Sequence, residues 1–371
     1  MGLDSASYVC LDSYVRWSNL LLDAPGPIAA PPLPIPGAVV RTFDAPGFAG
    51  MTFYEVQARS IISRVPAASR MPFEYTINPY RGCSHACVYC FARNTHTYLD
   101  LDAGHDFDTK VVVKVNAPQL LRRELASPQW TGAHIAMGTN VDCYQRAEGR
   151  YRLMRGIIEA LRDFANPFSI LTKGTLITRD LDLLQQAASQ TSVSVSFSVG
   201  FIDEALWRRV EPGTPSPRRR LDAVRRFADA GFAVHVLMAP ILPGITDTEE
   251  SIDATVAAIA AAGAAGVTPL SLHLRPGARE WYAAWLARTY PHLVGRYRAL
   301  YGRSSYAPKA YQRLISARVA QAARRYGLVR VAAPEHRNIT EPRTRPEVGG
   351  ASARVGPPTV AGREVEQLRL L

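Results

Sequence analysis

Three cysteines stand close together in the chain and give its strongest chemical signal. Cys83, Cys87 and Cys90 have the spacing C-x3-C-x2-C and directly follow an apolar run, residues 75–78, that is typical of a strand. Cysteine thiolates hold iron–sulfur clusters, and short spacings let one loop surround one cluster. Three thiolates on a four-iron cluster leave one iron without a protein ligand, which is the open position that a catalytic metal centre needs. The spacing therefore predicts a cluster that binds a cofactor or a substrate.

Two other interpretations of these cysteines stay open. A structural zinc site usually has paired C-x2-C knuckles or added histidines at matching spacing. Here Cys10 and Cys143 stand alone, and His85 lies inside the loop itself. Three inert buried thiols are not expected in a polar turn that contains glycine. The open cluster is the favoured interpretation.

Further polar residues follow predicted strands, at the edge where a parallel sheet carries its working residues. Lys173, one of only four lysines, follows the run 168–171, where its ammonium can neutralise a carboxylate. A solvent-exposed loop lysine is the alternative. Gly138 and Thr139 end the run 135–138, and a glycine there lets the backbone approach a ligand closely. A simple turn glycine explains that position equally well.

Serine alternates with apolar residues along the run 193–199, so its hydroxyls share one face of the predicted strand. Buried hydroxyls need hydrogen-bond partners. We select Ser196 as a contact to a polar cofactor, with water as the other partner to consider. Glu211, in the following loop, is a second candidate contact, although a surface ion pair with Arg208 or Arg209 is the simpler interpretation.

A polar cluster of Asp142, Tyr144 and Gln145 follows the second predicted strand. We expect these side chains to face a substrate, with ordinary hydrogen bonding within the loop as the alternative. Cys143 lies among them and is expected on the same rim. A buried cysteine that only contributes to packing is its alternative.

Strand-like and helix-like segments alternate along the middle of the chain. This repeated order indicates parallel βα units with right-handed crossovers. Six units predict an α/β fold, a partial (βα)6 TIM-like barrel, because a full barrel needs eight. The predicted strands are 75–78, 135–138, 168–171, 193–199, 234–239 and 270–274; the predicted helices are 152–164, 181–189, 218–230, 249–262 and 279–289, with a further strand, 110–115, and helix, 119–126, after the first strand.

The two ends of the chain differ from this middle part. Residues 24–47 contain seven prolines, which excludes a regular helix there and predicts an extended arm. A short helix is predicted over 54–63. The far end is rich in Pro, Gly and Arg and has no apolar periodicity, which is typical of disorder. The predicted regions are an N-terminal extension with the Pro-rich arm (1–65), the barrel (66–300), a C-terminal helical extension (301–331) and a basic tail (332–371).

The charge of the chain is concentrated at one end. The 371 residues include 43 Lys+Arg and 32 Asp+Glu, a net charge of +11, but residues 301–371 hold 13 of the bases and 5 of the acids. The surplus is therefore no sign of a basic groove in the barrel.

We find neither an apolar run of ~20 residues nor a signal-peptide pattern, and five cysteines are too few for a disulfide-stapled fold. A cytoplasmic protein without membrane contact is expected.

The cysteine motif, with an aromatic residue before its third cysteine, resembles that of the radical S-adenosylmethionine (radical SAM) superfamily. The flanking sequence, NPYRGC before Ser84 and CFAR after Tyr89, resembles the spore photoproduct lyase-like branch, whose members are often labelled DNA repair photolyases. The similarity covers about residues 70 to 330. It continues through the segments 138–145 (GTNVDCYQ), 171–174 (LTKG), 178–180 (TRD), 211–214 (EPGT) and 239–244 (APILPG).

The resemblance implies a [4Fe–4S] cluster held by Cys83, Cys87 and Cys90. S-adenosylmethionine would bind the open iron, and one electron would cleave it to methionine and a 5′-deoxyadenosyl radical that abstracts a substrate hydrogen. The resemblance also places Tyr89 near the adenine, with a packing role as the alternative, and Lys173 near the methionine carboxylate.

Two features depart from the family's pattern. The chain has Gly138-Thr139-Asn140 where many relatives carry Gly-Gly-Glu, so a glutamate contact is not expected there. Spore photoproduct lyases are credited with a C-terminal cysteine that returns a hydrogen atom to the product radical, yet no cysteine follows Cys143. Cys143 and Tyr144 are therefore the candidate catalytic residues, and spore photoproduct lyase activity itself is not expected.

The expected function is radical hydrogen abstraction by a radical SAM enzyme, with a nucleic-acid lesion or modified base as the substrate that the resemblance suggests. The expected partners are S-adenosylmethionine, a flavodoxin- or ferredoxin-like one-electron reductant, and nucleic acid at the basic tail. Two alternative functions stay open. The protein could be an iron–sulfur redox sensor without turnover, or an Arg-rich nucleic-acid-binding protein with a structural metal.

Overall fold

A computed structural model describes residue 35, residues 37–66 and residues 71–328. The N-terminal part of the proline arm, Cys10 and the predicted basic tail lie outside these residues. Within them the chain forms two sheets and a series of helices. The strands are β1 (Val39–Arg41), β2 (Thr52–Val56), β3 (Ile62–Arg64), β4 (Tyr75–Ile77), β5 (Tyr80–Arg81), β6 (Lys110–Lys114), β7 (Ile135–Met137), β8 (Phe168–Thr172), β9 (Val193–Ser198), β10 (His235–Ile241) and β11 (Gly266–Ser271).

The larger sheet has seven strands in the order β11-β10-β9-β8-β7-β4-β3. Its six strands from β4 to β11 pair in parallel, and β3 adds an antiparallel edge to β4. Six parallel strands separated by helices confirm the predicted partial barrel of the α/β class. Because the strands run parallel, their carboxyl ends share one edge of the sheet, and the loops that carry chemistry meet there.

Helices cover the outer face of this sheet, and their boundaries follow local capping. Ser216 accepts a hydrogen bond from the Arg219 amide at the start of one helix, and Thr248 does the same for the Ser251 amide of the next. The helices are α1 (His105–Thr109), α2 (Ala117–Leu125), α3 (Glu148–Tyr151), α4 (Leu153–Asp163), α5 (Leu181–Ala188), α6 (Glu204–Val210), α7 (Pro217–Asp229), α8 (Glu249–Ala261), α9 (Ala278–Thr289), α10 (Val294–Tyr301) and α11 (Lys309–Arg325).

The predicted helix over 54–63 is wrong. Those residues contain the end of β2, a turn and β3. In β2, Phe53, Tyr54 and Val56 are buried because the strand lies between β1 and β6 in a second sheet, ordered β1-β2-β6-β5. The partner strand β6 lies more than fifty residues further along the chain, so no local pattern shows the pairing. The strand predicted over 110–115 is thus real but belongs to this second sheet.

The last barrel strand begins four residues earlier than predicted. β11 spans Gly266–Ser271 and includes Pro269, which suggests a turn when it is considered in the sequence alone. A proline cannot donate a hydrogen bond, but β11 is an edge strand, where one side needs no donor. Residues 272 and 273 therefore belong to the loop at the carboxyl edge rather than to the strand.

Helix α11 covers β11 and packs beside α8. It lies within the region that the sequence assigns to a C-terminal extension, and it occupies the outer layer of the barrel. Across the described residues, no helix is both long enough and apolar enough to cross a membrane.

The core of the barrel generates a stability prediction. Phe168, at the start of β8, is fully buried, whereas Phe164, four residues earlier, is 42 % exposed. We expect Phe168→Ala to lower the free energy of unfolding by about 3–5 kcal/mol, because it leaves a cavity in the core. Phe164→Ala should change it by less than about 1 kcal/mol. Denaturant unfolding of both variants measures the difference, and equal losses would contradict the burial of Phe168.

Candidate active site

The three motif cysteines line one pocket at the carboxyl edge of the sheet. Cys83 and Cys87 are buried and Cys90 is partly buried, on the loop between β5 and the 3-10 helix Phe91–Leu99. All three are free thiols and border a cavity of about 180 Å3. Their common cavity agrees with the placement predicted from the strand-end rule. No three His, Cys, Asp or Glu side chains of the described chain are grouped closely enough for a single metal ion.

The backbone of the cysteine loop, residues 82–90, is fixed by side-chain and backbone hydrogen bonds. The Gln145 side chain accepts from the Ser84 amide at 2.9 Å and donates to the Gly82 carbonyl at 2.8 Å. The Gly213 amide donates to the His85 carbonyl at 3.1 Å. A Cβ atom on Gly213 would lie 1.9 Å from the Ser84 carbonyl oxygen, so only glycine permits this contact. Gln145, predicted to face a substrate, instead supports the loop.

A buried arginine holds the middle of the same loop. Arg93 is fully buried and donates to the Cys87 carbonyl at 3.0 Å and to the Asp108 carboxylate at 2.9 Å. Its guanidinium also lies 4.7 Å from the centre of the Trp281 ring. Burial raises the pKa of Asp108 to about 6, although the neighbouring Arg93 charge opposes that rise. The sequence shows Arg93 only as part of the motif, and its role was missed.

Burial also governs the chemistry of the cysteines. Loss of solvent raises the pKa of the Cys83, Cys87 and Cys90 thiols above the ordinary value. A buried thiolate needs compensating positive charge, which a bound metal centre provides. Three thiols that face one cavity and need such charge are a donor set that fits an iron–sulfur cluster.

Opposite the cysteines, the pocket is polar. Lys173 donates from its ammonium to the Ser198 hydroxyl at 2.6 Å and from its amide to the Asp142 carboxylate at 2.6 Å. Asp142 also accepts from the Thr172 hydroxyl at 2.6 Å, and its carboxylate lies 3.4 Å from Nδ1 of His85. Burial lowers the pKa of His85, so the imidazole is neutral near pH 7. Lys173 therefore carries the positive charge of this wall.

Gly138 and Thr139 lie in the pocket wall, as predicted. Gly138 has φ +76°, and a Cβ atom there would lie 1.8 Å from the Leu171 carbonyl oxygen. The neighbouring strand thus requires glycine at this position. The Thr139 hydroxyl lies 2.9 Å from that of Thr76 and borders the cavity.

Glu211 is not part of a surface ion pair, which corrects the simpler prediction. It is fully buried and accepts hydrogen bonds from the Tyr89 hydroxyl and, at 2.5 Å, from Arg220. Burial alone would raise the pKa of Glu211, but the Arg220 and Lys173 charges and these hydrogen bonds lower it. Glu211 therefore acts behind the pocket wall, whereas the Tyr89 side chain borders the cavity itself.

Three further predicted site residues lie away from the cavity. Cys143 is buried in the main hydrophobic core, and the buried Tyr144 donates to Asp180 at 3.1 Å. Asp142 accepts from the Tyr144 amide at 2.9 Å, which turns the chain inward after Asp142. Ser196 is also absent from the cavity lining, where Ser198 takes the place expected for it.

The residues at the mouth of the pocket next to β11 were not predicted, because the sequence pattern places that strand four residues too late in the chain. His273 borders the cavity, and its ring packs on Tyr306 with 4.6 Å between ring centres. The Arg275 guanidinium lies 5.3 Å from the Phe91 ring centre and donates to the Tyr306 hydroxyl at 3.4 Å. This rim of aromatic and basic side chains lies beside Cys90.

A parallel βα sheet with a cysteine-lined pocket at its carboxyl edge defines the class of this protein, the partial βα barrels. The family model described as "Radical SAM superfamily" matches residues 77–256. An uncharacterized protein of Mycobacterium tuberculosis is 52% identical over 300 residues, which cover 80% of this chain and 88% of the relative. An uncharacterized protein of Methanocaldococcus jannaschii is 30% identical over 193 residues, 52% of this chain and 68% of the relative.

Solved structures show the same fold. A spore photoproduct lyase variant aligns with a TM-score of 0.55 and 16% identity, covering 73% of this chain and 78% of that chain. Spore photoproduct lyase complexed with dinucleoside spore photoproduct aligns with a TM-score of 0.53 and 15% identity, over 74% and 79% of the two chains. By its match to that family model the chain belongs to the radical SAM superfamily and is an enzyme of that class. The solved structures, at 15–16% identity, share its fold.

The contact between Gly213 and the cysteine loop generates the second prediction. Gly213→Ala places a methyl group against the Ser84 carbonyl and should lower the free energy of unfolding by about 1–3 kcal/mol. Gly295→Ala is the matched control, because no atom lies within 4 Å of the added carbon in helix α10. It should be neutral or raise stability by up to about 1 kcal/mol. Denaturant titrations compare them, and an unaffected Gly213 variant would refute the close contact.

Proposed function

We propose that this enzyme holds a [4Fe–4S] cluster on Cys83, Cys87 and Cys90 and reductively cleaves S-adenosylmethionine to abstract a substrate hydrogen. One observation carries the proposal, namely that the three thiols share a cavity with the Lys173 ammonium and the Gly138 backbone. A cluster alone would not need a polar wall opposite its ligands. A charged, zwitterionic cofactor does need one.

The cluster, when bound, supplies the electron that breaks a carbon–sulfur bond of S-adenosylmethionine and yields methionine and the 5′-deoxyadenosyl radical. The chain's own residues bind S-adenosylmethionine and orient it in the pocket. Lys173 neutralises the methionine carboxylate, and the wall at Gly138 and Thr139 offers close backbone approach for the amino group. Ser198, held by Lys173, replaces Ser196 as the hydroxyl that meets the cofactor.

Tyr89 contributes an aromatic surface for the adenine. The Tyr89 hydroxyl donates to Glu211, and Glu211 forms an ion pair with Arg220. The ring therefore has one fixed orientation. Glu211 is thus a positioning residue rather than a cofactor contact. Cys143 and Tyr144 have no part in this proposal, because neither borders the cavity.

A nucleic-acid lesion or modified base is the proposed substrate class. One structural relative was solved as spore photoproduct lyase complexed with dinucleoside spore photoproduct. In this chain the pocket mouth carries the Phe91, His273 and Tyr306 rings beside the Arg275 guanidinium. Aromatic rings stack on bases and arginine binds phosphate, so this rim supports the proposal.

Anaerobic reconstitution tests the proposed function. After incubation with iron and sulfide and reduction by dithionite, the chain should show the electron paramagnetic resonance signal of a reduced cluster. Addition of S-adenosylmethionine should perturb that signal and release 5′-deoxyadenosine. Cys87→Ala should lose the signal and lower cleavage by at least ~100-fold, whereas Cys143→Ala should keep the parental iron content. A cluster that the cofactor does not perturb would indicate a redox sensor instead.

The role of Lys173 has its own test. Lys173→Met removes a charge-assisted hydrogen bond and should weaken binding of S-adenosylmethionine by about 10- to 100-fold, since such bonds contribute roughly 1.5–3 kcal/mol. Lys309→Met, an exposed lysine at the start of α11, is the matched control and should bind as the parent does. Isothermal titration of the reconstituted proteins measures both. Unchanged affinity in Lys173→Met would exclude the carboxylate contact.

A further inference from the structure

A second pocket lies outside the cysteine cavity, where strands β1 and β2 of the smaller sheet meet helix α3. It is a cavity of about 510 Å3, and its lining consists of Arg41, Phe43, Glu55, Arg150 and Tyr151. Among the described residues, none lines both this second pocket and the cysteine cavity. The proposed function therefore assigns no role to the second pocket.

Aromatic rings form one side of the second pocket and restrict Arg150. The ring centre of Phe43 lies 5.2 Å from that of Phe53 and 6.1 Å from that of Tyr151. The Arg150 guanidinium lies 4.8 Å from the Phe43 ring centre. This contact limits the conformations of the Arg150 side chain but satisfies none of its N–H donors. Arg150 therefore keeps its full capacity to donate to a ligand.

The two arginines of the second pocket have donors that no part of the described chain uses. Arg150 is exposed and forms neither a hydrogen bond nor an ion pair with any residue that the structure describes. Arg41 donates through Nε to the Glu55 carboxylate at 3.3 Å, and its terminal nitrogens have no acceptor in the described chain. Guanidinium donors from two different elements, β1 and α3, therefore border one cavity.

Glu55 is the one carboxylate among the lining residues that the structure describes, and its charge is already compensated. Its two oxygens accept from the Tyr151 hydroxyl at 3.0 Å and from Arg41. Burial and the Glu55 charge raise the pKa of Tyr151, so Tyr151 is a neutral donor near pH 7. Asp44 is exposed and does not line the second pocket. The positive charge of Arg150 therefore remains unpaired.

We propose that the second pocket binds a phosphate group, either of a small phosphate ester or of a nucleic-acid backbone. A phosphate has oxygens that point in several directions, so it can accept from guanidiniums on both β1 and α3. A carboxylate has two coplanar oxygens, which one guanidinium satisfies. Small-molecule sites typically have volumes of about 300–1,000 Å3, so the cavity has space for a group attached to the phosphate. The inference is independent of the proposed function.

The segment that carries Arg150 also contacts the cysteine loop. Arg146 donates from its amide to the Ser84 hydroxyl at 3.2 Å and from its guanidinium to the Gly47 carbonyl at 2.8 Å. A phosphate held by Arg41 and Arg150 joins the smaller sheet to this segment. Phosphate binding should therefore raise the midpoint of thermal unfolding, because a ligand that binds only the folded chain stabilises it.

Calorimetric titration of the full chain tests the proposal with inorganic phosphate, thymidine 5′-monophosphate and a single-stranded DNA oligonucleotide. Acetate at the same ionic strength is the control anion. Arg150→Gln should bind inorganic phosphate about tenfold more weakly, and Arg150→Lys should have an intermediate affinity. Glu55→Gln should bind more tightly than the parent, because it removes the negative charge beside the anion. Arg324→Gln, an exposed arginine on α11, is the matched control.

Three results would overturn the proposal: no binding of inorganic phosphate to the parent, equal binding of acetate, or unchanged affinity in Arg150→Gln. Tighter binding of thymidine 5′-monophosphate than of the oligonucleotide identifies a small phosphate ester as the ligand. Tighter binding of the oligonucleotide, with an affinity that falls steeply with salt and is lower in Arg150→Gln, identifies a nucleic-acid backbone. Cys87→Ala should bind phosphate as the parent does, so this test and the test of the proposed function fail separately.

Discussion

The pocket depends on a buried ion pair that joins the cysteine loop to the sheet. Arg220 donates both to Glu211 and to the Ser198 carbonyl at the end of β9, and Glu211 accepts from Tyr89 in the loop. Removing one partner of a buried pair typically costs 3–5 kcal/mol, because the other charge is left uncompensated. One interaction therefore fixes the distance between the thiols and the Lys173–Ser198 wall.

Arg93 anchors the loop from the opposite side in the same way. Its charge is compensated by Asp108 and by the faces of two aromatic rings, Phe107 and Trp281, which stabilise it in the buried interior. Between these two arginines the loop has little freedom to move. Such rigidity suits a site whose ligands must hold fixed positions while a substrate enters from the open rim.

Local patterns were sufficient to predict the parallel strands from β4 to β10, the helices between them and the cysteine pocket. Each of these features depends on periodicity or spacing within a few residues. The errors in the strands depend on distant contacts. Residues 52–56 form a strand because they pair with β6, which lies far along the chain. Strand β11 can contain Pro269 because it lies at the edge of the sheet. The turn after Asp142 is local, since the Asp142 carboxylate accepts from the Tyr144 amide two residues on, and it removes Cys143 and Tyr144 from the rim. The position of these residues after the strand indicates the rim, but it does not show that their side chains turn into the core.

The barrel sheet ends at β11 within the described chain, and no further strand packs against that edge. The two sides of the pocket are therefore under different constraints. On the cysteine side, glycines and buried charges leave no space for substitution. On the β11 side, His273, Arg275 and Tyr306 lie on loops outside the sheet, which an antiparallel bridge between His273 and Tyr306 joins to each other. Substitutions on this open side would therefore leave the thiols undisturbed, so the shape of the pocket mouth can change at a single edge while the cysteine side stays the same.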